Sequence, residues 1–447
     1  MSLPRYREYK ESGAPWLGRV PNGWEVSPLK HLAEFLNGCV FKPGSWSESG
    51  VPIIRIENLN GSLNFNFFDG EIDERHHVSK GDLLFGWSGN RGTSFGPFKW
   101  KSNGLYFLNQ HIFKVQSLGC NASWLYWCLR AVTAHVEDQA TGIIGMVHVT
   151  KGDLGTIKVP VPPISEQLDI AVFLDSETAK IDALIIEQEK LIALLAEKRQ
   201  ATISHAVTKG VIPNVPMKDS GVAWLGEVPA HWEVTQLKRL CNRITDGAHI
   251  SPETEGGTYS FVSTKDLDGD SINFENCLLT SPSSFDYLQR TGCRPAAGDV
   301  LFSKDGTIGR TVVVRDGREF VVASSLIIIT PSVGMLDSDF LNYLCKSSII
   351  SGQVEGFVKG AGLPRLSIQN LLKVVGLFPP IDEQSAISAY LKVETRKFDV
   401  LSAAAERAVA LLKERRAALI TAAVTGQVDV RGAVSHALTE RLEAIAA

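Results

Sequence analysis

The sequence predicts an α+β chain built twice over: two globular domains of mixed strand and helix, each followed by one long helix. Three internal echoes carry that reading. Ser12–Leu32 (SGAPWLGRVPNGWEVSPLKHL) returns as Ser220–Leu240 (SGVAWLGEVPAHWEVTQLKRL) with 13 of 21 positions identical, and Pro162–Ile185 returns as Pro379–Ser402 with 12 of 24 identical. Glu197 and Arg199 return as Glu414 and Arg416, ahead of Ala206-Val207-Thr208 and Ala423-Val424-Thr425. The offset is 208 in the first echo and 217 in the other two, so nine residues (217 − 208) are inserted within the second copy. Frames agree while interiors differ. The expected divisions are globular domains at 1–161 and 211–378, a helix at 162–210, and a second helix with a tail at 379–447.

The elements follow in order. After the first frame, VPIIRIENLNG, GDLLFGW and LNQHIFKV read as short strands between turns, and Leu125, Cys128, Leu129 and Val132 mark the apolar face of a short helix. Pro-Pro-Ile then opens the first long helix, with Ser165 as N-cap and Glu166 in its positive first turn. From Ile170 the apolar residues Leu174, Ile181, Leu184, Leu191 and Leu195 step in heptads, interrupted at Glu177 and Gln188. Gly210 and Pro213 end that helix. The second copy offers TYSFVSTKDLDGD, GDVLFSKDG and ASSLIIIT as strands, and Phe340, Leu341, Leu344 and Cys345 on a short helix. Asp382 caps the second long helix, whose stripe is Ile387, Leu391, Phe398, Leu401, Leu412 and Leu419. A final helix over Val434–Ala447 is expected after Gly426. From Glu166 to Val207 is roughly 63 Å of helix. One apolar stripe on a rod that long needs a partner, which the other repeat supplies; the alternative is that each helix lies along its own domain.

At 447 residues, 44% hydrophobic and 21% charged, the composition is that of globular domains. No apolar run approaches the ~18 residues of a membrane span, and the start, MSLPRYREYKES, is too charged for a secretory signal; a cytoplasmic protein is expected. Seven cysteines without a C-x-x-C pair read as reduced, buried apolar residues. The net charge of −4 means that nucleic-acid binding would depend on local patches or on a partner's charge.

Catalytic motifs are absent. There is no phosphate loop, G-x-S-x-G or H-E-x-x-H, and the Pro-Pro pairs lack the preceding Asn or Asp with which adenine methyltransferases hold their target amine. His76-His77 has no second ligand cluster, so no metal is expected. What remains is polar loop chemistry. Trp87, Asn90 and Arg91 follow a strand, with Lys99 and Lys101 beyond; Lys304 and Arg310 occupy the matching place in the second copy. His148 and Lys151, and Lys359 and Arg365, lie in glycine-bearing loops ahead of each Pro-Pro, and Arg55, Asn58 and Lys265 in the first strand-rich runs complete the candidates for DNA contact. Asn and Arg carry the bidentate donors that read purine edges, and Lys pairs with phosphate. Plain hairpin turns are the competing reading of the same loops.

Two frames W-L-G-x-V-P-x-x-W-E-V, two P-P-I-x-E-Q helix starts and two helices ending in A-V-T closely resemble the specificity subunit of type I restriction-modification enzymes, over essentially the whole chain. GDVLFSKDGTIGR, LNQHIFKV and LITAAVTGQVDV add to the likeness. The resemblance implies two target recognition domains, each reading half of a bipartite site on double-stranded DNA, held apart by two antiparallel coiled-coil helices with internal twofold pseudo-symmetry. It implies no catalysis and no cofactor in this chain. Two methyltransferase subunits would bring S-adenosylmethionine, and motor-nuclease subunits ATP and Mg2+. Trp16, Trp24, Trp224 and Trp232 would offer those partners a surface. The alternative is the specificity subunit of a two-subunit type II enzyme with a fused nuclease-methyltransferase.

Overall fold

A computed structural model of the chain describes residues 3–140, 146–315, 317–358 and 364–433. The expected helix at 434–447 lies outside them. Two compact units emerge. The first joins Met1–Gln188 to Arg407–Ala447, and the second is the continuous stretch Glu189–Glu406, so each unit takes half of each long helix.

The first unit is built on a four-stranded antiparallel sheet in the order Gly96–Lys99, Leu83–Gly86, Ile112–Ser117, Ala33–Asn37. A second sheet orders Asn66–Phe68, Val51–Ile54, Tyr106–Leu108 and His77–Val78, with Val51–Ile54 and Tyr106–Leu108 parallel. The helix Ala122–Gln139 is capped by Asn121, whose Oδ1 accepts from the Trp124 N–H. It buries Trp124, Leu125, Cys128, Leu129 and Val132 in one core with Phe35, Phe85 and Phe113 of the first sheet.

The second unit repeats the plan. Its main sheet orders Cys241–Asp246, Leu326–Pro331, Val300–Ser303 and Thr311–Val313, and its smaller sheet again holds a parallel pair, Tyr259–Val262 with Phe320–Val322. The helix expected here is Ser338–Lys346, and its Phe340, Leu341 and Leu344 share one core with Val300, Phe302 and Ile327 of the main sheet. A glycine marks the same crossing in both units. A Cβ on Gly38 would lie 2.2 Å from the Asn109 carbonyl oxygen, and one on Gly247 2.1 Å from that of Ala323, so only glycine lets the chain leave the main sheet there.

The repeated motifs turn out to be locks. In the first unit the buried Trp24 indole donates to Glu166 Oε2 at 3.0 Å; in the second, buried Trp232 donates to Glu383 Oε1 at 3.2 Å. Burial in each unit's own core corrects the reading of these two tryptophans as a partner surface; Trp224 is exposed, and the Trp16 indole stacks on His135. The neighbouring glutamines are fully engaged. Gln167 accepts from the Asn121 N–H at 2.8 Å and donates to the Pro162 carbonyl at 2.9 Å. Gln384 accepts from the Asp337 N–H at 2.8 Å and donates to the carbonyls of Met335 (2.9 Å) and Pro379 (2.8 Å). Each glutamine thus fixes the start of a long helix against the start of the shorter helix in its unit. Gln384→Ala should strand buried donors and acceptors and cost about 1–3 kcal/mol per unsatisfied group. Thermal denaturation of the full chain measures it, and an unchanged profile would refute the role.

The long helices run Ile164–Lys209 and Ile381–Val424. Both begin two residues earlier than expected. The carbonyls of Pro163 and Pro380 accept the first backbone bonds, from Gln167 and Gln384, so Ser165 and Asp382 stand inside the first turn rather than capping it. Gly210 and Gly426 follow the helices with φ of 78° and 72°, the left-handed conformation that terminates a helix.

Asp182 pairs with Arg416 at 3.3 Å in the first unit, and Arg199 with Asp399 at 3.2 Å in the second. Moving 17 residues up one helix moves 17 down the other, so they run antiparallel. The same two sequence positions supply both pairs, 217 apart, which is the twofold pseudo-symmetry expressed in charge.

The stripe needs correction. Ile170, Leu174, Ile181 and Leu195 are buried, as are Ile387, Leu391 and Phe398, and Leu412 and Leu419 are half-buried. Leu184, Leu191 and Leu401 are 51%, 42% and 52% exposed. The seam instead passes through Thr178, Ile185 and Ile192, and through Thr395, Ser402, Ala405 and Val409. Two successive steps of four, 170–174–178 and 387–391–395, displace it by one residue from a strict heptad. The threonines hide this, because a stripe sought among apolar residues passes over them. Each buried hydroxyl donates back to the carbonyl four residues earlier, Thr178 to Leu174 at 2.5 Å and Thr395 to Leu391 at 2.7 Å.

Among the described residues no helix is long and apolar enough to cross a membrane. All seven cysteines are free thiols, and burial pushes those of Cys241 and Cys345 up to about 12, so they stay protonated near neutral pH.

Candidate functional site

Two loops that are far apart in sequence meet at one corner of each unit. In the first, Ser88–Asn90 pairs antiparallel with Met146–His148, placing Asn90 opposite Met146 and Ser88 opposite His148. Trp87 lies half-buried at the root of this ribbon. Its indole donates to the Gln110 carbonyl at 3.0 Å, its ring stacks on Phe113 with centroids 5.7 Å apart, and His148 meets it edge-on at 4.8 Å. His111 stands on the other side at 5.6 Å. The Asn90 backbone is firmly held: its N–H donates to Ser94 Oγ at 2.8 Å, and its carbonyl accepts from Thr93, Ser94 and Phe95. The hairpin reading is therefore right for the backbone, while the Asn90 side chain is exposed beyond it.

Other candidates of the first copy lie elsewhere. Arg91 donates to the Glu137 carbonyl and Gly92 to the Glu137 carboxylate, which ties the loop to the helix Ala122–Gln139. Lys99 sits 3.6 Å from Asp175 and over the Tyr126 ring, directed at the long helix. Asn58 is buried and spent: it accepts from the Arg55 N–H and donates to the carbonyls of Ser62 and Asn64. Holding a turn in this way, it is not available as a base contact. Arg55 bonds Asn66 at 2.7 Å, pairs with Glu57 and lies over Trp46. Lys101 and Lys151 are exposed.

In the second unit the corresponding join is the bridge between Asp305 and Arg365, reinforced by a bidentate ion pair of 2.9 and 3.1 Å. Lys304 is the clearest correction. It is 3% exposed and its ammonium is paired with Asp246, whose second oxygen lies 3.1 Å from His249. A lysine that deep is held by its carboxylate and does not reach phosphate. Arg310 is half-buried and donates to the Leu267 carbonyl. Lys265 and Arg365 are exposed, and Lys359 lies outside the described residues.

The sequence reading missed Gln110, His111 and His249. Gln110 and His111 sit in LNQHIFKV, taken as a single strand, but the strands are Tyr106–Leu108 and Ile112–Ser117. Three polar residues between apolar runs were the available signal. Among the described residues no group of three His, Cys, Asp or Glu side chains is placed to hold a metal ion.

The comparisons with known proteins agree on one family. The family model described as "Type I restriction modification DNA specificity domain" matches twice, over residues 21–194 and 229–405. The EcoBI specificity subunit of a type I restriction enzyme from Escherichia coli is 23% identical over 397 residues, covering 85% of this chain and 81% of that protein. The MjaVIII specificity subunit from Methanocaldococcus jannaschii is 26% identical over 400 residues, covering 84% and 86%. A solved chain from a study of complex assembly and conformational transition of the type I R-M system superposes with a TM-score of 0.61 at 17% identity, covering 91% of this chain and 98% of that one. It shares the fold.

Proposed function

The chain belongs to the type I restriction modification DNA specificity family, and from that premise we propose that it is the non-catalytic, cytoplasmic subunit that reads an asymmetric bipartite site on double-stranded DNA. One observation carries the reading: two units share sheets, locks and helix seam, yet present chemically unlike corners. A repeated scaffold with unlike corners suits two different half-sites at a fixed separation. Between them the DNA is crossed without being read, and the two long helices set the length of that gap. Methyltransferase subunits bind the scaffold and supply S-adenosylmethionine, and motor-nuclease subunits, where present, bring ATP and Mg2+. Chemistry on DNA belongs to those partners.

Co-expression with the methyltransferase encoded beside it, followed by mapping of methylated adenines by long-read sequencing, should give one asymmetric motif with a gap of constant length. S-adenosylmethionine turnover by the purified chain alone, or methylation without a motif, would overturn the proposal. Co-purification with separate methyltransferase subunits, rather than with a fused nuclease-methyltransferase, supports the type I assignment over the two-subunit type II alternative.

A further inference from the structure

Trp87 and Lys304 occupy the same place in the two units. The register shows it: Gly86 and Ser303, immediately before them, pair with Ile112 and Leu326. By the same register Gln110-His111 corresponds to Ser324-Ser325. The strands on either side keep their apolar character, Leu84-Phe85 matching Leu301-Phe302 in buried positions. The corner at their ends changes chemistry. In the second unit Ser325 is turned inward, its hydroxyl accepting from the Thr264 N–H at 3.2 Å. In the first, His111 and His148 are exposed on either side of a half-buried indole.

We propose that Asn90, Gln110, His111 and His148, mounted around Trp87, form the base-reading surface of the first unit and contact base edges in the major groove of one half-site. This rests on the function proposed above and adds Gln110 and His111 as specificity-determining residues. Planar amides and imidazoles each present a donor and an acceptor, the pattern that base edges require. Gln110 Nε2 lies 3.3 Å from His111 Nε2, so in the tautomer that leaves this ring nitrogen bare the amide donates to it and Nδ1 carries the proton. The amide oxygen of Gln110 has no other partner among the described residues, and neither the Asn90 amide nor the His148 ring has a hydrogen bond there. Met146, opposite Asn90, is 58% exposed. An exposed apolar side chain at that position can meet a thymine methyl, as apolar groups do in the major groove. The mount is rigid, because Trp87 is fixed by its bond to the Gln110 carbonyl and its stack on Phe113. A base-reading group needs that support.

The test uses the full chain in complex with its methyltransferase subunits. Methylation preference is measured over a library in which both half-sites are randomised, for His111→Ala, Gln110→Ala, His148→Ala and, as a chain with the opposite corner altered, Arg365→Ala. The first three should lower discrimination roughly 5- to 150-fold at one or two positions of a single half-site, leaving the other unchanged. Arg365→Ala should relax only the opposite half. His111→Gln, which keeps a planar donor and acceptor, covers the case in which an alanine variant fails to fold, and should retain part of the preference. A wild-type motif preserved by all three corner variants would overturn the inference, as would uniform weakening across all sequences, which would mark backbone contacts. A wild-type complex without any motif would sink the proposed function itself.

Discussion

Leu195→Asp is expected to unfold the second unit at temperatures where the wild type is stable, while Leu191→Asp, four residues earlier, leaves the melting curve within about 0.5 kcal/mol of wild type. Both leucines lie on the stripe that a strict heptad draws. Only Leu195 is buried; Leu191 is 42% exposed and its new carboxylate would remain in water. An aspartate at position 195 would be enclosed in the helix seam, where the arginine one turn on, Arg199, is already engaged by Asp399. Loss of the leucine alone costs about 2–5 kcal/mol in a core, and the uncompensated polar group adds several more. A domain whose total stability is about 5–15 kcal/mol does not absorb that. Thermal denaturation of the two variants, with methylation mapping of any that stay folded, decides the matter. Equal effects at the two positions would mean that the helices do not pack through the observed seam.

The contrast also shows where sequence reading stops. Duplication, strand runs, both long helices and their glycine stops were legible, because each rests on a local signal: an echo, an apolar run between turns, a residue that tolerates positive φ. The seam was legible only in part. Thr178 and Thr395 lie in it by satisfying their own hydroxyls against the helix backbone, which no hydropathy pattern reveals. The candidate corner was half visible. Trp87, Asn90 and His148 were singled out as members of loops, but it took the pairing of Ser88–Asn90 with Met146–His148 to bring them together. Lys304 was misread for a related reason. Its partner Asp246 is 58 positions away in sequence, and a lysine in a glycine-rich loop looks solvated until the opposing carboxylate is located. Glu166 and Gln167 stood out as repeats without disclosing that they hold Trp24 and Asn121.

A chain ending at Gly210 is expected to form a homodimer and, with methyltransferase present, to exchange the asymmetric target for a palindrome made of one natural half-site inverted about the gap. The first unit is not complete within residues 1–210. Its core includes Ile420, Ala423 and Val424 from the end of the second long helix, and Asp182 pairs there with Arg416. Every one of these has a counterpart 217 positions earlier, at Ile203, Ala206, Val207 and Arg199, and the second unit shows those counterparts serving the equivalent purpose. Ile203, Ala206 and Val207 fill its core, and Arg199 pairs with Asp399, the repeat of Asp182. A second copy of the short chain can therefore donate its own Ile203, Ala206, Val207 and Arg199 to the first, and receive the same in return, which is the self-complementary geometry of a twofold dimer. The dimer should be less stable than the full chain. It lacks Val430, buried in the first core, and Arg431, which pairs with Asp429 at 2.6 Å and lies 3.7 Å from Glu166. Sedimentation or light scattering reads the oligomeric state, and methylation mapping reads the motif. A soluble, strictly monomeric short chain would break the argument at the level of packing. A dimer that methylates the original asymmetric site would break it at the level of function, since two identical corners cannot read two different half-sites.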